Sequence, residues 1–454
     1  MRAFARHMTE RAKAVAAVGA VAAFWLAVWI FAASLVAQPL ILPGPGAVVM
    51  ALLRLVCDGG TWAILAGSGA RILGGLALAA VCGGVLAGIS SRSRAFAHLV
   101  APALSFVKAT PVACVVVLLL IWLGSARVSI AAVFLMALPG VYFSLVEGLA
   151  QVNKPLEQMF RLHGVRGWRL FCAHTWREVL PFVLSCARAV IGMSWKAGVA
   201  AELIGMAAGT VGERIYQAKL LIETADLLAW TVLVVAASWA CERVLVWLLR
   251  ASGPVAWGAA VRAHGRAGGS AGGGAAAELA FAVGDCAPWA PALDRLVLRV
   301  PAGGRACVMG ASGVGKSTLL ALAAGECAPR SMVFQDVRLV EDASALDNVL
   351  VCADARVDAS SAAALLRLLV PGIDVHARVA ELSGGQRRRV EIARALLCPG
   401  DAVILDEPFT GLDTAARDAC AEVVLDLLDG RTLLFATHDA SDAQALDISD
   451  IITL

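Results

Sequence analysis

Apolar positions dominate the first 250 residues in long, nearly unbroken runs. Residues 14–53 carry no acidic or basic side chain, and charge-free stretches follow at 72–91, 109–126 and 128–146. Each approaches the ~20 residues that an apolar helix needs to cross a bilayer. Two more apolar segments, about 182–206 and 228–249, are interrupted by charges, which gives six predicted spans. The first run follows Arg2, Arg6, Arg11 and Lys13, as the core of a secretory leader would. It is longer than the roughly 7–15 residues of such a core, so it reads as an uncleaved first span.

The pattern changes after residue 250. Residues 265–277 read GRAGGSAGGGAAA, a composition too poor in apolar surface to pack. It predicts a flexible tether spanning about 20 Å. Beyond it, short apolar runs at Arg305–Met309, Ala402–Leu405 and Thr432–Ala436 alternate with stretches rich in Ala, Leu and Arg. Such runs predict buried parallel strands between helices. The expected architecture is an all-α, six-span membrane domain over 1–250, a Gly/Ala-rich linker over 251–277 and a compact α/β domain over 278–454.

Composition narrows the function classes. The chain has 454 residues, of which 59% are hydrophobic and 16% charged, against about 25% charged in ordinary soluble proteins. This excludes a disordered chain, a basic nucleic-acid binder and a simple soluble enzyme; no nucleic-acid partner is expected. The formal net charge of +3 says little until the charges are located. Four basic residues precede the first span, Arg92 and Arg94 follow the second, and Lys154, Arg161, Arg166, Arg169 and Arg177 lie between the fourth and fifth. By the positive-inside rule both ends of the membrane domain face the cytoplasm. The twelve cysteines are scattered, with no C-x-x-C pair, and read as small buried hydrophobes.

The α/β half carries chemistry. Gly310-Ala311-Ser312-Gly313-Val314-Gly315-Lys316-Ser317-Thr318 fits G-x-x-x-x-G-K-[ST], follows an apolar strand and opens a Leu/Ala-rich helix, the context a phosphate-binding loop requires. Its glycines let backbone N–H groups curl around phosphate oxygens, and the helix N-terminus adds partial positive charge. Lys316 is positioned for the β- and γ-phosphates and Ser317 for Mg²⁺. The run Ala402-Val403-Ile404-Leu405 delivers Asp406 and Glu407 to a strand tip, Asp406 to hold Mg²⁺ and Glu407 to polarise the attacking water.

Leu382-Ser383-Gly384-Gly385-Gln386, followed by three arginines, resembles the signature motif of ATP-binding cassette proteins. In the same order as that family, Gln335 in VFQD resembles the Q-loop, Gly411-Leu412-Asp413 the D-loop and His438 in ATHD the switch histidine. The resemblance implies ATP with Mg²⁺ on Ser317, Gln335 and Asp406, and catalytic roles for Glu407, His438 and Gln335. It implies a two-fold dimer in which Ser383, Gly384, Gly385 and Gln386 of one copy meet nucleotide held by the phosphate loop of the other, with Asp413 nearby. Departures are the short interval between Lys316 and Gln335, where the family usually inserts a longer β segment, and an unassigned adenine-stacking aromatic, with Trp289 and Phe281 as candidates.

The membrane half resembles permeases of binding-protein-dependent importers, in the nitrate, sulfonate, taurine and thiamine-precursor group. The resemblance rests on Leu42-Pro43-Gly44-Pro45, on the segment from Gly164 to Gly205 and on Gly209-Thr210-Val211-Gly212. Gln158-Met159-Phe160 stands where that group has Glu-Ala-Ala, and Trp176-Arg177 where it has Leu-Pro. This loop is the group's coupling segment, which docks on a cassette. The implied activity is ATP-driven uptake of a small solute, an organic or inorganic anion or a vitamin precursor. The implied protein is a homodimer in the cytoplasmic membrane, served by an extracytoplasmic substrate-binding protein. An exporter or flippase and a membrane-anchored, non-transport ATPase are the alternatives. Arg188, Lys196 and Glu202 on the fifth span and Glu242 on the last are costly in lipid and therefore functional candidates. Lys196 is a candidate for attracting an anion, or for neutralising a neighbour.

Overall fold

Residues 2–263, 278–282, 297–311, 313–325 and 331–454 are described by the structure, a computed structural model. Two units make up the chain: Met1–Ala150 with Val179–Arg250, and Gln151–Glu178 with Ala251–Leu454.

The helices of the first half are α1 (Arg2–Val36), α2 (Pro45–Cys57), α3 (Gly59–Ser90), α4 (Arg94–Ala109), α5 (Val112–Leu123), α6 (Ser125–Ala150), α7 (Lys154–Leu162), α8 (Gly167–Leu170), α9 (Trp176–Gly205), α10 (Val211–Leu220) and α11 (Thr224–Arg262). Among the described residues five helices are long and apolar enough to cross a membrane, or six if the bent pair α4–α5 counts as one span. That pair corrects one expectation. Residues 109–126 do not form a straight span; α5 is twelve residues long and meets α4 at 102° across Thr110-Pro111. Proline disfavours helical geometry in the residue before it, so the chain turns there. At about 18 Å, α5 alone is too short for a ~30 Å hydrocarbon core.

The first unit is held by close backbone approach. A Cβ added to Gly75 of α3 meets the Ile130 carbonyl of α6 at 2.5 Å, and one added to Gly198 of α9 meets Ile72 at 2.5 Å. Small residues let helices pack where lipid supplies no hydrophobic drive. Around these contacts Ile72, Val133, Ile191, Trp195, Val211 and Trp230 form a buried core. Large apolar side chains such as Phe106, Ile121 and Trp239 face outward, as a lipid-exposed surface requires.

The second unit contains a parallel sheet. Its strands are β1 (Leu279–Ala282), β2 (Val297–Val300), β3 (Arg305–Met309), β4 (Ser331–Val333), β5 (Ala402–Asp406), β6 (Thr432–Thr437) and β7 (Asp450–Thr453). β1 and β2 pair antiparallel, and the other five run parallel in the order β4-β5-β6-β3-β7. Every residue of β5 and β6 is buried, as expected of strands covered on both faces. Helices α12 (Lys316–Gly325), α13 (Ala345–Leu350), α14 (Ala359–Leu369), α15 (Gly384–Leu397), α16 (Thr414–Leu427) and α17 (Ala440–Ala445) flank the sheet.

Two boundaries differ from the sequence expectation. Residues 251–262, expected to belong to the linker, are helical instead, because α11 continues to Arg262 and buries Trp257 and Ala260 in the second unit; the rest of the expected linker, from 264 to 277, lies outside the described residues. Residues 151–178, expected as part of the membrane domain, belong to that same unit. Of the cysteines expected to be buried, Cys57 and Cys114 are exposed on the apolar surface of the first unit.

Candidate functional site

The parallel sheet brings the separate motifs to one edge. In open α/β sheets ligands bind outside the carboxyl ends of the strands, where the strand order switches direction. β3 ends at Met309 and leads into the glycine loop, β4 leads into Gln335, β5 ends on Asp406 and β6 leads into His438. Gly313 and Gly315 hold φ of 83° and 112°, a region that side chains with a Cβ rarely occupy. The loop thereby turns into α12, whose first residue is Lys316. Lys316 is buried, and its Nζ donates to the carbonyls of Gly310 at 2.8 Å and Ala311 at 3.1 Å. The ammonium thus lies inside the loop it closes. Val314 and Thr318 belong to the same turn, while Ser312 lies outside the described residues.

Three oxygen donors meet beside it. Ser317 Oγ lies 3.5 Å from Gln335 Oε1 and also hydrogen-bonds Asp406. Asp406 is buried and its Oδ1 has no hydrogen-bond partner among the described residues. Burial raises its carboxyl above the ordinary carboxylate value, while Ser317 pulls it back. An orphaned buried carboxylate oxygen with a hydroxyl and an amide oxygen suits a hard divalent cation. Glu407 takes a left-handed φ of 45°, its N–H donates to Ala436 and its carboxylate lies 3.4 Å from His438 Nδ1. A non-glycine residue there stores strain, held in place by the Glu407 N–H bond to Ala436 and by the Arg388 bond to the Glu407 carbonyl.

The signature loop is built as a helix N-terminus. Ser383 caps α15: its Oγ accepts from Gln386 N–H, and Gln386 Oε1 accepts from Ser383 N–H, a reciprocal capping box. Ser383 and Gly384 are exposed, Gly385 half-buried. Asp413 caps α16 through Ala416 N–H. Of the adenine candidates, Phe281 lies in β1 and Trp289 outside the described residues.

Sequence inspection missed the group that ties these pieces together. Arg388, the middle of the three arginines, is buried and donates to the Phe334, Asp406 and Glu407 carbonyls and to Glu391. Glu391, also buried, accepts from Arg338 N–H and faces Arg394. One guanidinium therefore fixes the backbone before Gln335, the backbone around Glu407 and the helix that carries the signature loop. Nothing in the sequence separates it from Arg387 and Arg389, since only packing decides which of three consecutive arginines turns inward.

The segment 151–178 is folded into the core of the second unit. Asn153 caps α7, and Leu156, Met159 and Phe160 turn inward, the last two without solvent exposure. With Val165, Leu170 and Ala173 they share one core with Val340, Ala343, Val351 and Cys352. Polar bonds frame the seat. Arg169 donates to Val351 O at 2.8 Å, Arg338 to Pro155 O at 3.2 Å, and Trp176 Nε1 to Ser252 Oγ at 3.0 Å. Arg177 lies 3.5 Å from Asp342 and 4.9 Å over the Trp257 ring. The departures Met159-Phe160 and Trp176-Arg177 are thus contacts of this seat, and Gln158 is exposed.

His163 is enclosed in the same seat and donates from Nδ1 to Met159 O at 2.8 Å. Burial lowers its pKa to about 3, helped by Arg394 and opposed by the Met159 bond. The folded form therefore excludes a proton that the unfolded chain binds near pH 6.5. Its contribution is complete above pH 6.5 and is lost as the pH falls from 6.5 toward 3, by about 1.4 kcal/mol per pH unit. Between pH 7 and pH 5 this amounts to about 2 kcal/mol. His163→Leu removes it, so the variant loses less thermal stability than the parent over that interval. Equal losses in the unfolding transition of this unit contradict a neutral, enclosed imidazole.

Comparison with known proteins matches the two halves of the chain to two different families. Residues 80–254 match the family of binding-protein-dependent transport system inner membrane components, and residues 293–410 match the ABC transporter family. The taurine import ATP-binding protein TauB of Pseudomonas aeruginosa is 38% identical over 132 residues, 28% of this chain and 50% of that protein. The Fe(3+) ions import ATP-binding protein FbpC of Agrobacterium fabrum is 39% identical over 126 residues, 26% of this chain and 35% of that protein. The macrolide export ATP-binding/permease protein MacB of Psychrobacter cryohalolentis is 39% identical over 126 residues, 26% of this chain and 19% of that protein. The chain spans half or less of the length of each of these relatives.

Proposed function

Because one polypeptide joins an inner-membrane component domain of binding-protein-dependent transport to an ABC transporter ATPase domain, we propose that it is an importer with permease and motor in a single chain. Two copies form the working unit, since a translocation path and two ATP sandwiches need two of each half, related by a closed two-fold axis. The unit sits in the cytoplasmic membrane with its ATPase domains in the cytoplasm. An extracytoplasmic binding protein delivers the solute, an organic or inorganic anion or a vitamin precursor.

The observation that carries this reading is the seat of residues 151–178. This segment lies in sequence between α6 and α9, yet its apolar side chains are part of the core that also holds the phosphate-loop strand. Closing two ATPase domains on nucleotide therefore pulls on the ends of two spans. Fusion raises the effective concentration of motor at permease, which relaxes the demand on the docking sequence and fits the departures at Met159-Phe160 and Trp176-Arg177.

Within each site the residues have separable tasks. Ser317, Gln335 and Asp406 would hold Mg²⁺, which when bound neutralises phosphate charge. Lys316 exchanges the Gly310 and Ala311 carbonyls for the β- and γ-phosphates. Glu407 orients and polarises the attacking water, His438 holds Glu407 and senses the γ-phosphate, and Arg388 keeps Glu407 and the Gln335 loop in register. Ser383, Gly384 and Gly385 offer an exposed helix N-terminus, suited to a phosphate held by the second copy.

The cassette half alone leaves direction open, since its relatives include import and export proteins. Residues 80–254 favour import through their match to binding-protein-dependent systems. The test is ATP hydrolysis by the purified chain in lipid vesicles, with and without its binding protein and candidate sulfonates, nitrate or pyrimidines. Import predicts that binding protein plus solute stimulates hydrolysis and concentrates solute. Solute movement in the opposite direction points to an exporter, and hydrolysis with no solute movement to a non-transport ATPase.

A further inference from the structure

The first unit treats its intramembrane charges in two ways. Glu202 of α9 is fully buried and completely satisfied: Ser68 Oγ donates to it at 2.8 Å, Gly212 N–H at 3.4 Å and Arg71 at 3.4 Å. Arg188 and Lys196, on the same helix, are exposed, and neither has an ion-pair or hydrogen-bond partner among the described residues. Lys196 lies near the centre of the exposed face of α9, with Ser185 and Gly192, and Arg188 and Met193 stand at its two edges, Arg188 one heptad before the buried Trp195 and two before Glu202.

Depth makes that exposure informative. Along α9, Lys196 lies about 14 Å and Arg188 about 26 Å from Gly205, both inside the apolar segment 182–206 read as the fifth span. A charge at such depth costs several kcal/mol against lipid and is found facing water or a polar partner. A bundle that encloses Glu202 in three hydrogen bonds has no need to leave two cations bare toward lipid.

We propose that this face of α9 lines the aqueous path completed by the second copy, and that Lys196 and Arg188 are two successive contact points for a small monovalent anion. The proposal rests on the transport reading above and narrows its substrate class. The two cations are too far apart for one small anion to touch both, so each holds a single negative charge in turn. Two weak stations in series allow release as well as entry, and uncompensated positive charge between low-dielectric walls concentrates anions. Vitamin precursors without charge gain nothing from such a path.

Gly192 provides the test, because it lies between the two cations and a Cβ there meets nothing within 4 Å. Gly192→Cys in the full chain, reconstituted in lipid vesicles, is reacted with two membrane-impermeant thiosulfonates. One bears a sulfonate and the other a trimethylammonium group. Rates are measured with and without ATP plus vanadate, corrected for labelling of the parent chain and scaled to each reagent's rate with free cysteine. The path predicts labelling in at least one nucleotide state, with the anionic reagent favoured at least tenfold. That preference falls to about one when Lys196→Gln and Arg188→Gln are added. Absence of labelling in both states overturns the path. Labelling without an anionic preference, as when a carboxylate of the second copy pairs with Lys196, overturns the anion contacts. ATP hydrolysis is read on the same vesicles, so an inactive motor is distinguished from a dry or unselective α9.

Discussion

Glu407→Gln binds ATP and lowers its hydrolysis by about two to four orders of magnitude, the usual contribution of a positioned general base. The substitution keeps the shape of the side chain and its contact with His438, and removes the charge that polarises water. Arg388 still binds the backbone carbonyls of Asp406 and Glu407, so nucleotide affinity stays within a few-fold of the parent. Steady-state phosphate release measures the loss and equilibrium binding of a fluorescent ATP analogue measures the retention. Hydrolysis at the parent rate removes Glu407 from the reaction. Loss of binding together with hydrolysis shows instead that Glu407 is needed to shape the site.

The second large effect is expected at the seat of residues 151–178. Phe160→Ala empties a fully enclosed ring position and costs about 3–5 kcal/mol by lost contact and residual cavity. Phe160 shares a core with β3 and β5 but is not one of the groups assigned to nucleotide, Mg²⁺ or the attacking water, so the folded variant continues to hydrolyse ATP. What fails is transmission: solute moved per ATP falls at least tenfold while basal hydrolysis changes less than about threefold. Asp342→Asn is the matching control. Its carboxylate is 85% exposed beside Arg177, and an exposed pair of this kind contributes about 1 kcal/mol or less. Uptake per ATP that survives Phe160→Ala intact shows that the seat does not couple motor to path.

The legible part of this molecule was the part fixed by local backbone geometry. The glycine loop, the Ser383 cap and the Asp406-Glu407 strand tip need particular residues at fixed spacing, because φ, capping and phosphate approach are satisfied within a few positions. Arg388 was not legible. Its neighbours Arg387 and Arg389 have the same chemistry, and only the packing of α15 against β4 and β5 selects the one that turns inward. The same holds for Met159 and Phe160, which depart from a familiar pattern in the sequence and become a hydrophobic wedge once Val340, Ala343 and Val351 surround them. Apolar runs marked the spans but not their breaks. The 102° bend at Thr110-Pro111 depends on one proline inside a charge-free stretch, which composition alone averages away. In Lys196 and Glu202 the sequence offered two similar intramembrane charges, and burial separates a satisfied carboxylate from a bare ammonium.

The central claim is that nucleotide is held between two copies of this chain. Ala311→Cys in one tagged copy and Ser383→Cys in a second, differently tagged copy place one thiol at each exposed side of the expected sandwich. Both copies carry Glu407→Gln, are produced together and are reconstituted in vesicles. A short bifunctional thiol reagent is then added with or without ATP, with singly substituted pairs reporting any reaction through native cysteines. The account predicts a reagent-bridged cross-link between the thiol of Ala311→Cys in one tagged copy and that of Ser383→Cys in the other, which forms with ATP and is absent without it. A cross-link yield equal to the singly substituted pairs, with ATP demonstrably bound, contradicts it.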